Sequence, residues 1–133
     1  MPWVEVFAAL VVSHLVGDYL LQTEWQAVHK HRGLARGETV ARRALLGHVA
    51  SYTVAFVPAL VWLGANTGAE VAWVLVLISV PHAIQDDGRL IVLYMQRVKG
   101  VAAESAAFAA VAVAVDQTFH LLTLFALALL AGT

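Results

Sequence analysis

Three histidine–aspartate pairs stand four residues apart in an otherwise apolar chain: His14 with Asp18, His82 with Asp86, and Asp116 with His120. One helical step of four residues stacks two side chains on a single face, so each pair presents an imidazole beside a carboxylate. Mixed imidazole and carboxylate ligands suit a divalent ion such as Zn, Mn, Fe or Ni. The chain has no cysteine, which excludes thiolate sites, disulfides and redox motifs.

One ionised carboxylate at mid-bilayer costs at least roughly 2.5 to 3.5 kcal/mol on insertion scales, so three of them call for positive charge nearby. No Lys or Arg is expected at their depth, which leaves protonated histidine or metal. The reading adopted is metal, one ion or two, with His14, Asp18, His48, His82, Asp86, Asp116 and His120 as ligands. A carboxylate left off the metal, Asp18 or Asp116, would serve as general base, and Tyr52 as a nearby proton donor. The plainer alternative is a set of interhelical hydrogen bonds, the usual role of a single intramembrane histidine. Glue needs no common depth, and three pairs in one register favour metal. Asp87 points about 100° away from Asp86 on a helix and is assigned to a basic partner. Gln22 and Gln117 could orient ligands or substrate but read first as structural polar residues, and His29 and His31 read as solvated loop residues.

The elements that must position these groups are transmembrane helices. With 61% hydrophobic and 13% charged residues and a mean hydropathy of +0.78, the composition lies outside the range of soluble globules. The 133 residues are expected to form a single integral membrane domain, with spans at about 3–22, 44–63, 69–96 and 104–130. Pro2 opens the first, and Trp3 and Trp25 suit the two interfaces. Gly33 and Gly37 break the polar loop that follows. Residues 64–68 form a tight outer turn, with Thr67 and Glu70 as a capping box for span three. Span three is taken as one long helix with a polar patch, bent at Pro81. The small residues of 102–110 would let span four pack closely.

All eight Lys and Arg fall in two clusters, Lys30 to Arg43 and Arg89 to Lys99. The positive-inside rule then places both basic loops in the cytoplasm and both termini outside, in a bacterial inner membrane. No basic region precedes the first apolar stretch, so it reads as a retained span.

Shifting the first half by 68 residues lays His14 on His82, Asp18 on Asp86, His48 on Asp116 and Tyr52 on His120. The expected fold is therefore all-α: a four-helix transmembrane bundle of two tandem hairpins, related by a pseudo-two-fold axis along the membrane normal. Asp18, His48, Asp86 and Asp116 would form a layer nearer the cytoplasm. His14, Tyr52, His82 and His120 would form a second, roughly 6 Å deeper.

The run His14-Leu-Val-Gly-Asp18-Tyr-Leu-Leu-Gln22-Thr-Glu-Trp25, the later His48 and Tyr52, the His82–Asp86 pair and Asp116-Gln117-Thr-Phe-His120 together resemble the domain of unknown function 3307 family of small bacterial integral membrane proteins. The resemblance runs along essentially the whole chain and implies positions rather than a chemistry. A looser similarity is to small inner-membrane proteins labelled predicted metal-dependent hydrolases.

The leading expectation is a membrane-embedded metal-dependent hydrolase open to the cytoplasm, acting on an ester, amide or phosphoester. A divalent metal-ion transporter or sensor is the alternative, and a structural membrane subunit with a hydrogen-bonded core the third. The outer halves of the spans are almost wholly apolar, which disfavours a path through the bilayer. Expected partners are the lipid bilayer, a membrane-associated small substrate and further copies of the chain, with no nucleic acid.

Overall fold

Helix α1 (Pro2–Leu15) runs directly into a π-helical segment, Val16–Leu21, in a computed structural model that describes residues 2–132. Gly17 sets this junction. A Cβ at that position would lie 2.6 Å from Tyr52 Cδ2 and 3.2 Å from Tyr52 Cα, so glycine is what lets the segment touch α3 (Thr39–Ala55). Between them, α2 (Glu24–His29) starts on a capping box. Thr23 Oγ1 accepts from the Gln26 N–H at 3.2 Å, and Gln26 Oε1 accepts from the Thr23 N–H at 2.9 Å.

The box expected at Thr67 and Glu70 does not form. Thr67 Oγ1 donates instead to the Leu63 carbonyl at 2.9 Å, and Glu70 makes no side-chain cap. Thr67 closes α4 (Val57–Thr67), which ends on Gly68 with φ 69°. Gly64, expected to end the span, sits inside α4, where a Cβ would meet Val71 Cγ2 at 2.8 Å. The second crossing is accordingly α3 plus α4, bent by 45° at Phe56. Pro58 explains the bend: it has no N–H, and its ring crowds the carbonyl of Val54.

The single helix expected over 69–96 is two helices. α5 (Val71–Asp86) passes through Pro81 without a break, and α6 (Arg89–Arg97) starts afresh after Gly88, whose φ is 77°. Side chains rarely adopt that conformation, and a Cβ there would also lie 2.5 Å from His31 Nδ1. α6 is amphipathic, with Ile91 and Met95 buried and Arg89, Gln96 and Arg97 exposed. The last helix, α7 (Phe108–Ala131), begins later than expected, because residues 103–107 make turns. The small residues expected to pack closely, at 102, 103, 105–107, 109 and 110, are all exposed.

Among the described residues every regular element is helical. Two helical stretches are long and apolar enough to cross a membrane, Pro2–Leu21 and Phe108–Ala131, and the bent α3–α4 pair makes a third. α5 has 16 residues and falls short by that measure, so length and composition support up to three crossings rather than the four expected. The burial pattern is inverted relative to a soluble protein. His14, His48, His82 and His120 are at most 2% exposed, whereas Val12, Leu20, Val61 and Leu122 face outward. One apolar cluster is built from Val6, Leu10, Phe56, Leu60, Leu63, Ile78, Leu124 and Leu127 among others, and includes Tyr52. A smaller one, Ile91, Met95 and Val115, joins α6 to α7.

The 68-residue offset reappears in the element order. Glu24–His29 shifts onto 92–97, inside α6, and Thr39–Ala55 shifts onto 107–123, along the start of α7.

Candidate metal centre

Each helical pair brings its imidazole and carboxylate close: 3.6 Å for His14 and Asp18, 3.1 Å for His82 and Asp86, 3.7 Å for His120 and Asp116. Contacts between helices are as short. His48 Nε2 lies 2.8 Å from Asp86 Oδ2 and 3.2 Å from Asp18 Oδ1, and 3.1 Å from His82 Nε2. The residues expected to form the second layer meet ring to ring: Tyr52 stacks on His82 at 3.4 Å between centroids, and His120 lies 5.3 Å from His14 and 4.7 Å from His82. The eight positions singled out by spacing thus form one connected cluster.

Two subsets have the composition and closeness to hold a divalent ion. Asp18, His48, His82 and Asp86 offer one, and Asp86, Asp116 and His120 the other, with the donor atoms of each subset within 4.8 Å of one another. Asp86 belongs to both. It turns Oδ2 toward His48 and His82, and Oδ1 toward His120 Nε2 at 3.6 Å.

The second subset carries the clearer signature. His120 Nδ1 lies 2.8 Å from the Asp116 carbonyl, which can only accept, so Nδ1 bears the proton. In the neutral ring Nε2 is then a bare lone pair. It is buried without a hydrogen-bond partner and faces Asp86 Oδ1, which is in the same condition. Two buried acceptors turned toward each other are the arrangement a cation resolves. Fixing the far nitrogen of a ligating histidine on a carbonyl is also how metal ligands are held.

His14, expected as a ligand, is bonded differently. Gln117 Nε2 donates to Asp18 Oδ2 and Asp116 Oδ2, both at 3.4 Å, which turns Gln117 Oε1 to His14 Nε2 at 3.0 Å. His14 Nε2 therefore donates, and His14 Nδ1 accepts from the Tyr52 hydroxyl at 3.1 Å. With both nitrogens engaged, His14 ties Tyr52 and Gln117 to the two carboxylates and lies outside both ligand subsets. Tyr52→Phe leaves a buried acceptor on His14, and a loss of about 1–3 kcal/mol is expected in a chemical unfolding titration in detergent.

The expectation that no Lys or Arg reaches this depth is overturned. Lys30 is 8% exposed, and its Nζ donates to Asp86 Oδ2 at 2.8 Å. The turn after α2 is drawn inward by Asp87. The Arg32 N–H donates to the Asp87 carbonyl and the Leu34 N–H to Asp87 Oδ1, each at 2.8 Å, while Arg89 closes on Asp87 Oδ2. Asp87 therefore takes the basic partner expected of it and also anchors the loop. The signal for Lys30 lay in the surplus of carboxylates: Asp86 and Asp87 are adjacent and both buried. His29 is exposed as expected and donates to the Trp25 carbonyl at 2.8 Å. His31 is exposed too, but covers Gly88.

The Asp116 side chain is 25% exposed, the most accessible carboxylate of the cluster. It ends a cavity of about 420 Å³ between α6 and α7, walled by Ile91, Val92, Phe108 and Ala112, with His31 and Gly88 at its rim. A small apolar-faced molecule has room to reach Asp116 there.

Comparison with curated proteins and with solved structures finds no match to this chain. The profile of one family, described as protein of unknown function (DUF3307), matches residues 6–133, and with nearly the whole chain covered the protein belongs to that family.

Proposed function

We propose that the protein is a membrane-embedded metal-binding protein whose His/Asp centre hydrolyses a small membrane-associated substrate from the cytoplasmic side. The observation that carries the metal reading is the facing pair of bare acceptors, His120 Nε2 and Asp86 Oδ1. Asp86, Asp116 and His120 would hold one ion, and Asp18, His48 and His82 with Asp86 a second. When bound, a divalent ion there polarises a carbonyl or phosphoryl oxygen and activates water. Asp116, open to the cavity and held in position by Gln117, would present the ion to a molecule bound there, and were it left off the metal it would be the candidate general base.

In this reading α1 with its π segment, α3–α4, α5 and α7 are four crossings of two related hairpins. α6 lies along the cytoplasmic interface with Arg89 and Arg97 outward, as an amphipathic basic helix does. α5 spans about 24 Å at its length, short of a hydrocarbon core of about 30 Å, and its broken end is covered by the 30–34 turn. Transport across the bilayer is the weaker reading, because a closely packed apolar cluster that includes Tyr52 adjoins the centre and offers no polar path beyond it.

Protein purified in detergent without chelators is expected to hold one or two divalent ions per chain and to lose the ion at the second subset in a His120→Ala, Asp116→Ala variant. Metal-free wild type under those conditions removes the reading. Ion flux through the protein in sealed vesicles would replace hydrolysis by transport. Turnover of short-chain esters or phosphoesters that stops on adding a chelator supports hydrolysis.

A further inference from the structure

Asp86 Oδ2 serves three neighbours at once: Lys30 Nζ and His48 Nε2 at 2.8 Å each, and His82 Nε2 at 3.1 Å. Asp86 Oδ1 has none within hydrogen-bond reach. The two oxygens of one carboxylate therefore stand in opposite states, one crowded by a positive charge and one bare. We propose that Lys30 is a resident cation that divides the centre into two metal positions of unequal affinity: a ready one at Asp86 Oδ1, His120 and Asp116, and a guarded one at Asp86 Oδ2, Asp18, His48 and His82. This rests on the metal reading above.

An ion at the guarded position would share Oδ2 with the ammonium and be repelled by it at short range in a poorly solvated interior. Lys30 must withdraw before that position fills. Its placement allows this, because Lys30 follows α2 as its C-cap, and the turn beyond it stays fixed to Asp87 by the Arg32 and Leu34 N–H groups. A flexible four-carbon stem can swing the charge toward water while the turn remains in place.

The device is confined to one half of the molecule. The position that the 68-residue offset relates to Lys30 is Val98, which is 67% exposed and uncharged, so Asp18 receives no matching ammonium. A centre built on two similar hairpins is thereby made unequal by one side chain. The ready position loads first and fixes Asp86. The guarded position loads at higher metal concentration or when another anion, such as a substrate phosphate or carboxylate, draws Lys30 away.

The test is a Mn²⁺ titration of full-length, metal-stripped protein in detergent, read by equilibrium dialysis and by electron paramagnetic resonance. Wild type is expected to bind in two separated steps. Lys30→Met tightens the second step by about tenfold or more, equivalent to roughly 1.4 kcal/mol, and leaves the first within a few-fold. Loading both positions yields the exchange-coupled signal of two ions bridged by Asp86. Lys30→Arg, which keeps the charge, retains the wild-type separation. Lys30→Gln keeps an N–H donor for Asp86 without the charge; it guards against a folding defect and carries the same expectation as Lys30→Met. A second step unmoved or weakened in both neutral variants overturns the role of Lys30 while leaving the metal centre standing. Absence of any Mn²⁺ binding in wild type and variants overturns the metal reading itself.

Discussion

Asp86→Asn is expected to abolish high-affinity metal binding and to lower the stability of the metal-free protein by about 3–5 kcal/mol, the usual consequence of removing one partner from a buried ion pair. Asp86 is the one carboxylate in both ligand subsets, and Lys30, His48 and His82 all converge on its Oδ2. The amide keeps the shape but removes the charge, and half of it donates where the neighbours also donate. Lys30 is left buried without its counter-charge. The double variant Lys30→Met, Asp86→Leu separates structure from chemistry. An apolar pair of similar volume is expected to restore most of the stability, as buried ion pairs replaced by hydrophobic residues commonly do. Metal binding stays lost, because no side chain remains to bridge the two subsets. Unfolding curves in detergent and metal content of the same preparations read both effects. Metal retained in Asp86→Asn would show that Asp86 is not the bridge.

Much of this centre was legible in the sequence because it depends on local periodicity. An i, i+4 pair needs only a helix to bring its members together, and His14–Asp18, His82–Asp86 and Asp116–His120 each lie within 3.7 Å. The 68-residue offset needs only two hairpins of equal length. The limits of the helices were less legible, since they turn on single residues with two possible meanings. Pro81 looked able to bend a span, yet α5 accommodates it, and the chain breaks instead ahead of Pro58. Gly64 looked like a breaker and Gly88 like part of a continuous helix; Gly64 stays helical and Gly88 takes a positive φ that ends α5. Neighbour packing decides each case, and no window of sequence contains it.

Lys30 was hidden for another reason. Its loop reads as polar and basic, hence as water-exposed, and only the long-range bonds from Arg32 and Leu34 to Asp87 bring it to Asp86. The roles within the cluster also depend on contacts distant in sequence. His14 and His120 are alike as halves of a pair, yet Gln117 and Tyr52 engage both nitrogens of His14, while His120 keeps Nε2 bare.

Gly17→Ala is expected to damage the centre without touching a ligand. The added methyl would fall 2.6 Å from Tyr52 Cδ2 and 3.2 Å from Tyr52 Cα, closer than carbon atoms tolerate. Tyr52 has no room to yield: it is 1% exposed and lies flat on His82 at 3.4 Å with 6° between the rings. Relief must come from separating α3 from the π segment, and that segment carries Asp18. Overpacking of this kind costs about 1–3 kcal/mol. The more diagnostic change is in binding, because Asp18 moves away from His48 and Tyr52 moves away from His14. Metal affinity at the Asp18, His48, His82 and Asp86 subset should fall by about tenfold or more, the factor given by roughly 1.4 kcal/mol of lost ligand geometry. Gly47→Ala is the matched control, since Gly47 lies in α3 and its Cβ would meet only Gln26 Nε2 at 3.4 Å. There the helix gains up to about 1 kcal/mol from the better helix former, with metal binding unchanged. A Gly17→Ala protein that unfolds and binds metal as wild type does would show that Asp18 is held by something other than this close approach of helices.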